Sequence, residues 1–172
     1  MNTMEAIARR SSVRAYNGAQ LSAEELQTVL RAGCAAPVGL GLHDSMMMAV
    51  VQDKALLRDV SEGIRRAMGF PGDPVYGAPT LVILSSRAQP AVGVDYANAG
   101  CILENMMLAA TELGLGSVII WGAGAAAEAS PELKERLGIP ADYRALAGLA
   151  LGKADALPEA KALEMKMPVI YR

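Results

Sequence analysis

The order of apolar patterns along the chain predicts one layer of β-sheet with helices laid on it, an α+β or α/β arrangement. Three observations carry that expectation. Segments with helical spacing alternate with short apolar runs of strand length. Residues 93–114 are apolar nearly all round, which places that helix at the centre of a fold rather than on its surface. The 172 residues are 52% hydrophobic and 20% charged, with a mean hydropathy of +0.25. That is enough for a sizeable core, with apolar surface left over for a second copy, so a homodimer is expected. No repeat, linker or low-complexity stretch interrupts the chain, and residues 1–172 read as a single domain.

Residues 2–10 read as a short helix. Ser22 and Glu25 form a capping box ahead of Leu26, Val29, Leu30, Gly33 and Cys34, whose spacing predicts a helix over 23–35. "SMMMAVV" (45–51) reads as a strand. Leu56, Leu57, Val60, Ile64 and Met68 mark a helix over 54–68. "FPGDPVYGAP" (70–79) is a breaker-rich loop, and "TLVILSS" (80–86) a buried strand. After the long helix come "SVIIW" (117–121) as a third strand and a helix opened by Ser130-Pro131 and closed by Gly138. "ALAGLAL" (145–151) is a fourth strand, and the final "MPVIYR" a fifth or an exchanged arm.

Composition excludes several classes. A net charge of −2 and a pI near 5.5 argue against binding a nucleic-acid backbone, which needs a basic excess. The two cysteines, Cys34 and Cys101, sit in apolar helical patterns without a C-x-x-C or His/Cys pairing, so no metal site is expected. They read as buried thiols of a reducing cytosol. The start lacks a signal-peptide core and no apolar run reaches membrane-spanning length, so a cytoplasmic protein is expected.

Four stretches carry chemistry-bearing residues. "ARRSSVRAY" (8–16) gathers three arginines and two serines. If the chain is extended after the first helix, Arg10, Ser12 and Arg14 project to one side and suit a phosphate. The same cations also suit a solvated helix end that offsets the dipole. "SVIIWGAGAAAE" imitates a dinucleotide fingerprint with Gly122, Gly124 and Ala127. The fingerprint needs a long helix directly after the glycines, and Ser130-Pro131 interrupts it. "AAPVGLGLHDS" (35–45) holds Gly39, Gly41 and the only histidine, His43, which reads as a proton donor or as a surface residue. In the long helix, Asp95, Asn98, Glu104 and Asn105 interrupt an apolar sequence and need partners. No carboxylate pair, nucleophilic triad or G-x-x-x-x-G-K loop can be assembled, so an enzyme of this sequence would rely on a cofactor.

Taken together and in order, these segments resemble the nitroreductase family of flavoproteins. "ARRSSVRAYNGAQLSAEELQTVLRAGCAAP" is similar to that family's opening R-x-S-x-R segment and amphipathic helix ending in Ala-Pro. "GAPTLVILSS", "DYANAGCILENMMLAATELGLGSVIIWG" and "LGIPADYRALAGLALGKAD" resemble its central strand, its core helix with the G-L-G-S turn, and its L-G-I-P segment. The resemblance implies an α+β homodimer with a central, mostly antiparallel sheet and FMN at each of two interface sites. It implies ping-pong redox chemistry, with NAD(P)H as donor and a small organic acceptor such as a nitro compound or quinone. Arg10, Ser11 and Ser12 match positions that hold the phosphate and ribityl chain, and Arg14 the cation at the flavin N1–C2=O edge. There a positive charge stabilises negative charge on the reduced ring. Trp121 and Gly122 match the turn beside flavin N5. Pro37, Val38 and Gly39 match the loop given by the partner subunit, with Gly41 and His43 in the substrate pocket. Lys166 matches a phosphate-binding residue near the C-terminus, with Lys161 as its competitor. The chain departs from the family's N-x-Q-P-W pattern, having Gly41-Leu42-His43-Asp44-Ser45 instead. The other reading is a non-catalytic flavin- or nucleotide-binding module whose 41–45 loop closes the pocket.

Overall fold

Helix starts are written in the sequence as side-chain caps, and the computed structural model, which describes residues 1–172, shows them satisfied. Asn2 caps α1 (Thr3–Arg9) by accepting from the Glu5 N–H. Ser22 and Glu25 close the capping box of α2 (Ala23–Cys34). Asp53 caps α3 (Lys54–Met68), which Gly69 stops with φ +65°. α4 spans Val94–Glu112, and α5 spans Gly122–Ala129. α6 (Pro131–Arg136) has Ser130 as cap and proline in its first turn. The strands are β1 (Met46–Val51), β2 (Thr80–Ser86), β3 (Gly116–Ile120) and β4 (Arg144–Gly152).

The four strands form one antiparallel sheet in the order β1-β2-β4-β3. β2 and β4 are central, so both their faces are covered and they read as unbroken apolar runs. Period-two alternation divides the core into two layers. Leu81, Ile83, Val118 and Ile120 face α3, α5 and α6. Val82, Leu84, Leu149 and Leu151 face α2 and α4. β1 and β3 are the edge strands.

The structure corrects four expectations. Residues 122–129 are a helix, where the sequence showed only an interrupted glycine motif. The final "MPVIYR" pairs with no strand of its own protomer: β4 ends at Gly152, and the tail is extended with Met167, Ile170 and Tyr171 exposed. Neither cysteine is buried; both lie exposed at the surface. α4 is not enclosed. Ile102, Leu103, Met106 and Met107 are buried, but Ala97, Gly100, Cys101 and Glu104 face outward. The residues on that open side are small or charged, so the overall hydropathy of the segment hides it.

Candidate functional site

After α1 the backbone turns extended at Arg10 (φ −56°, ψ 123°) and runs beside the edge of β3. Ser12 bridges Ser117 in parallel, and the Val13 N–H donates to the Ser117 carbonyl at 2.9 Å. Val13 is buried against Gly116, whose lack of a side chain makes the room. The Tyr16 hydroxyl donates to the Val13 carbonyl at 2.9 Å and pins the following bend. Burial holds that phenol well above its ordinary pKa, against the pull of Arg14, so it remains a donor. Extended backbone then separates the side chains by alternation. Ser11 joins Val13 in lining a cavity of about 200 Å³ with Met1, Arg9, Glu112 and Leu157. Arg10, Ser12 and Arg14 take the other side. Ser11 is therefore placed apart from the other three.

Arg10 lies against α4, with its Nε 3.6 Å from Glu104 Oε1. At the far end of β3 stands Trp121, 56% exposed and stacked on Tyr96 of the first turn of α4 with ring centroids 5.2 Å apart. Arg144 lies over the Tyr96 ring at 5.0 Å and pairs with Asp95. The hydrogen bond to Asp95 raises the Arg144 pKa further above its already high value. Two routes measure the interval between these ends. Along β3, Ser117 to Trp121 is roughly 13 Å; along α4, Glu104 to Tyr96 is roughly 12 Å. Between them lie the half-exposed side chain of Ile119 and the outward Gly100, whose missing Cβ would meet nothing within 4 Å. The result is an open strip: cations and a hydroxyl at one end, apolar in the middle, aromatic at the other. No side chain caps α5, whose first amides follow Trp121 directly.

The glycines of the apparent fingerprint serve packing instead. A Cβ on Gly124 would collide with the Leu146 carbonyl, and one on Gly122 would sit 2.6 Å from Ile64. The antiparallel sheet has no β-α-β crossover to carry a dinucleotide, so that alternative is removed.

The loop after α2 lies on the other flank of α4. Gly39 N–H donates to Asn98 Oδ1 at 2.9 Å, and Asn105 Nδ2 donates to the Ala32 carbonyl at 3.2 Å. At about 100° per residue, Asn98 and Asn105 share one flank of α4, while Tyr96, Gly100 and Glu104 share the opposite one. Pro37, Val38, Gly39 and Gly41 are thus not joined to Arg10, Ser12 and Trp121 within one protomer. His43 is exposed; its ring nitrogens face the Ala36 and Gly41 carbonyls at 3.2 and 3.1 Å. It borders an apolar cavity of about 340 Å³ with Cys34, Met46 and Ile102. Leu40, at the loop tip, is 82% exposed in a left-handed conformation (φ +56°) that a non-glycine residue seldom adopts.

Near the C-terminus the two lysines separate. Lys161 donates its N–H to the Ala8 carbonyl and its Nζ to the Arg10 carbonyl, both at 2.9 Å. Lys166 faces only Glu164, 4.0 Å away. Tyr96, Glu104 and Ile119 were not singled out for this site from sequence. Only their i, i+4, i+8 spacing on α4 marks Tyr96, Gly100 and Glu104 as one flank.

A helix-covered antiparallel sheet places the chain among α+β proteins, and known proteins narrow the class. A profile of the nitroreductase family matches residues 69–153. The structure is similar to that of a nitroreductase with bound FMN from Bacteroides fragilis, 31% identical over 100% of both chains with a TM-score of 0.85. A nitroreductase with bound FMN from Desulfitobacterium hafniense is 26% identical, with 99% of this chain and 98% of that one covered and a TM-score of 0.85. An NADPH-flavin oxidoreductase of Vibrio harveyi is 29% identical over 93% of this chain and 69% of its own length. The chain belongs to the nitroreductase family.

Proposed function

We propose that the chain is an FMN-dependent NAD(P)H oxidoreductase of the nitroreductase type, with the FMN site along the strip between α4 and β3. Support comes from its family, from relatives that carry FMN, and from the fit of the strip to an amphipathic nucleotide. The single observation that carries the placement is the polarity of the strip, with Arg10 and Ser12 at one end and Trp121 with the uncapped start of α5 at the other. Bound FMN supplies two-electron transfer through its N5.

The chain's own residues then have separable tasks. The Arg10 guanidinium presents forked donors to the phosphate, with the Ser12 hydroxyl beside it. Resemblance to the family, rather than a contact in this structure, supports Arg14 at the ring edge, where its charge would stabilise negative charge on the reduced ring and raise the potential. The turn at Trp121 and Gly122 sets backbone amides at the redox end, and Ile119 keeps water from the middle. With FMN held there, the chain would leave one side of the strip open for a donor and then an acceptor, the order a ping-pong reaction needs, and none of its side chains need act as an acid. The acceptor is a small organic molecule.

The outward ridge of α4, formed by the exposed Ala97 and Cys101 and the half-buried Leu108, lies between the two flanks. A homodimer packed on that ridge sets the loop of Pro37, Val38, Gly39, Gly41 and His43 from one copy across the strip of the other, completing the pocket. Lys161 takes the phosphate role that was assigned to Lys166, because it is held at the Arg10 carbonyl. All 172 residues act as one domain, in the cytoplasm. No helix is long and apolar enough to cross a membrane.

An absorption spectrum of the purified protein tests this, taken under nitrogen before and after NADH or NADPH. The expected result is an oxidised-flavin spectrum that bleaches with the donor and returns with an added quinone. Flavin that no donor bleaches identifies the non-catalytic module instead. Protein that ignores added FMN overturns the placement.

A further inference from the structure

Resting on the reading that FMN occupies the strip, we infer that Glu104 is a positioning residue that aims Arg10 at the phosphate. α1 is laid antiparallel along α4 and tied to it by charge near both ends. The N-terminal ammonium pairs with Glu112, and Arg10 pairs with Glu104, two turns earlier on α4. Between these ties the helix buries only Ala6, so its C-terminal end depends on the polar contacts around Arg10.

Those contacts hold the residue from three directions. Its N–H donates to the Ala6 carbonyl at 2.8 Å, its carbonyl accepts from Lys161 Nζ at 2.9 Å, and its Nε faces Glu104 at 3.6 Å. The two backbone contacts fix where the chain leaves α1. Only Glu104 acts on the guanidinium. Because the carboxylate takes the Nε side, the Nη edge of the fork stays free for a second anion. The Arg10 side chain is 21% exposed and that of Glu104 49%, so the pair is partly screened and its contribution is modest. Glu104 acts on the site through Arg10.

Flavins with and without the phosphate test this. Binding of FMN and of riboflavin to the flavin-free protein is read by quenching of the only tryptophan, Trp121. The variants are Glu104→Ala, Arg10→Ala and the double variant. Glu104→Ala is expected to weaken FMN binding about threefold, the scale of a partly exposed ion pair, and to leave riboflavin binding unchanged. In the Arg10→Ala background it is expected to have no further effect, because its partner is gone. Three results overturn the inference: equal losses for both flavins, unchanged or tighter FMN binding by Glu104→Ala, or an undiminished effect without Arg10. Wild-type protein that binds neither flavin overturns the strip as the FMN site, which is a separate failure.

Discussion

The two faces of the sheet are finished differently. On the face toward α3, α5 and α6, backbone meets backbone. Gly124 lets α5 sit on the Leu146 carbonyl, Gly122 admits Ile64, and a Cβ on Gly148 would press on Ala123 at 3.0 Å. At these glycines there is no room for a side chain. On the other face α4 packs on β3 and β4 but leaves one β3 side chain, Ile119, 41% exposed. The chemistry-bearing residues collect there. A site for a large planar cofactor needs surface that the protomer's own packing has not consumed, and the strip beside the exposed Ile119 offers it.

The sharpest way to break this contrast is to add one methyl group to each face. Gly124→Ala forces a Cβ onto the Leu146 backbone, which cannot swing aside. We expect a loss of about 3 kcal/mol, at the upper end of overpacking costs, seen as a fall in Tm of roughly 6–12 °C. A Tm within two degrees of wild type would mean that α5 is not seated as described. Next in size is Arg10→Ala on the open face. FMN affinity is expected to drop by about 2 kcal/mol, the scale of a charged hydrogen bond, while the Tm of flavin-free protein hardly moves. Equal effects on folding and binding would show that Arg10 is structural.

Smaller still is Gly100→Ala, the counterpart of the first change. Its Cβ enters open space, so helix propensity alone acts, and the flavin-free protomer should gain roughly 0.5–1 kcal/mol in thermal unfolding. A loss would place unseen packing on that flank. The smallest effect concerns acid. The Ser22 N–H, helped by the Ser22 hydroxyl and Lys153, holds Glu25 below the ordinary carboxylate pKa. A depressed native pKa adds stability above the unfolded value, and that stability is lost as pH falls through the native one. Glu25→Gln should therefore narrow the difference in Tm between pH 7 and pH 3 slightly. An unchanged difference would mean that the box carries no charge-linked stability.

Much of this was legible because it is local. The Ser22–Glu25 box, the Ser130-Pro131 start and the "TLVILSS" strand are signals a few residues long, and each falls where the spacing put it. The alternation in "RRSSVR" suggested a run of extended chain, and residues 12–13 do pair alongside β3 with Val13 buried. The misses have a common cause. Cys101 belongs to an apolar helix, yet it points outward, because periodicity reveals a face only when residues on the two sides differ, and α4 is apolar nearly all round. Residues 122–129 form a helix of alanines and glycines with little periodic contrast, so nothing local distinguished it from a ligand-binding loop.

The amino-acid order alone determined where the capped helices and the strands begin, and that anion-seeking groups cluster beside the first helix, since caps, periods and composition act within a few residues. Tertiary packing alone decided that β3 is an edge strand, that Arg10 meets Glu104 rather than water, and that the 37–41 loop lies across α4 from the cations. These depend on which distant segments share a layer. That is settled by matching whole faces for burial, and no single stretch of the chain encodes it.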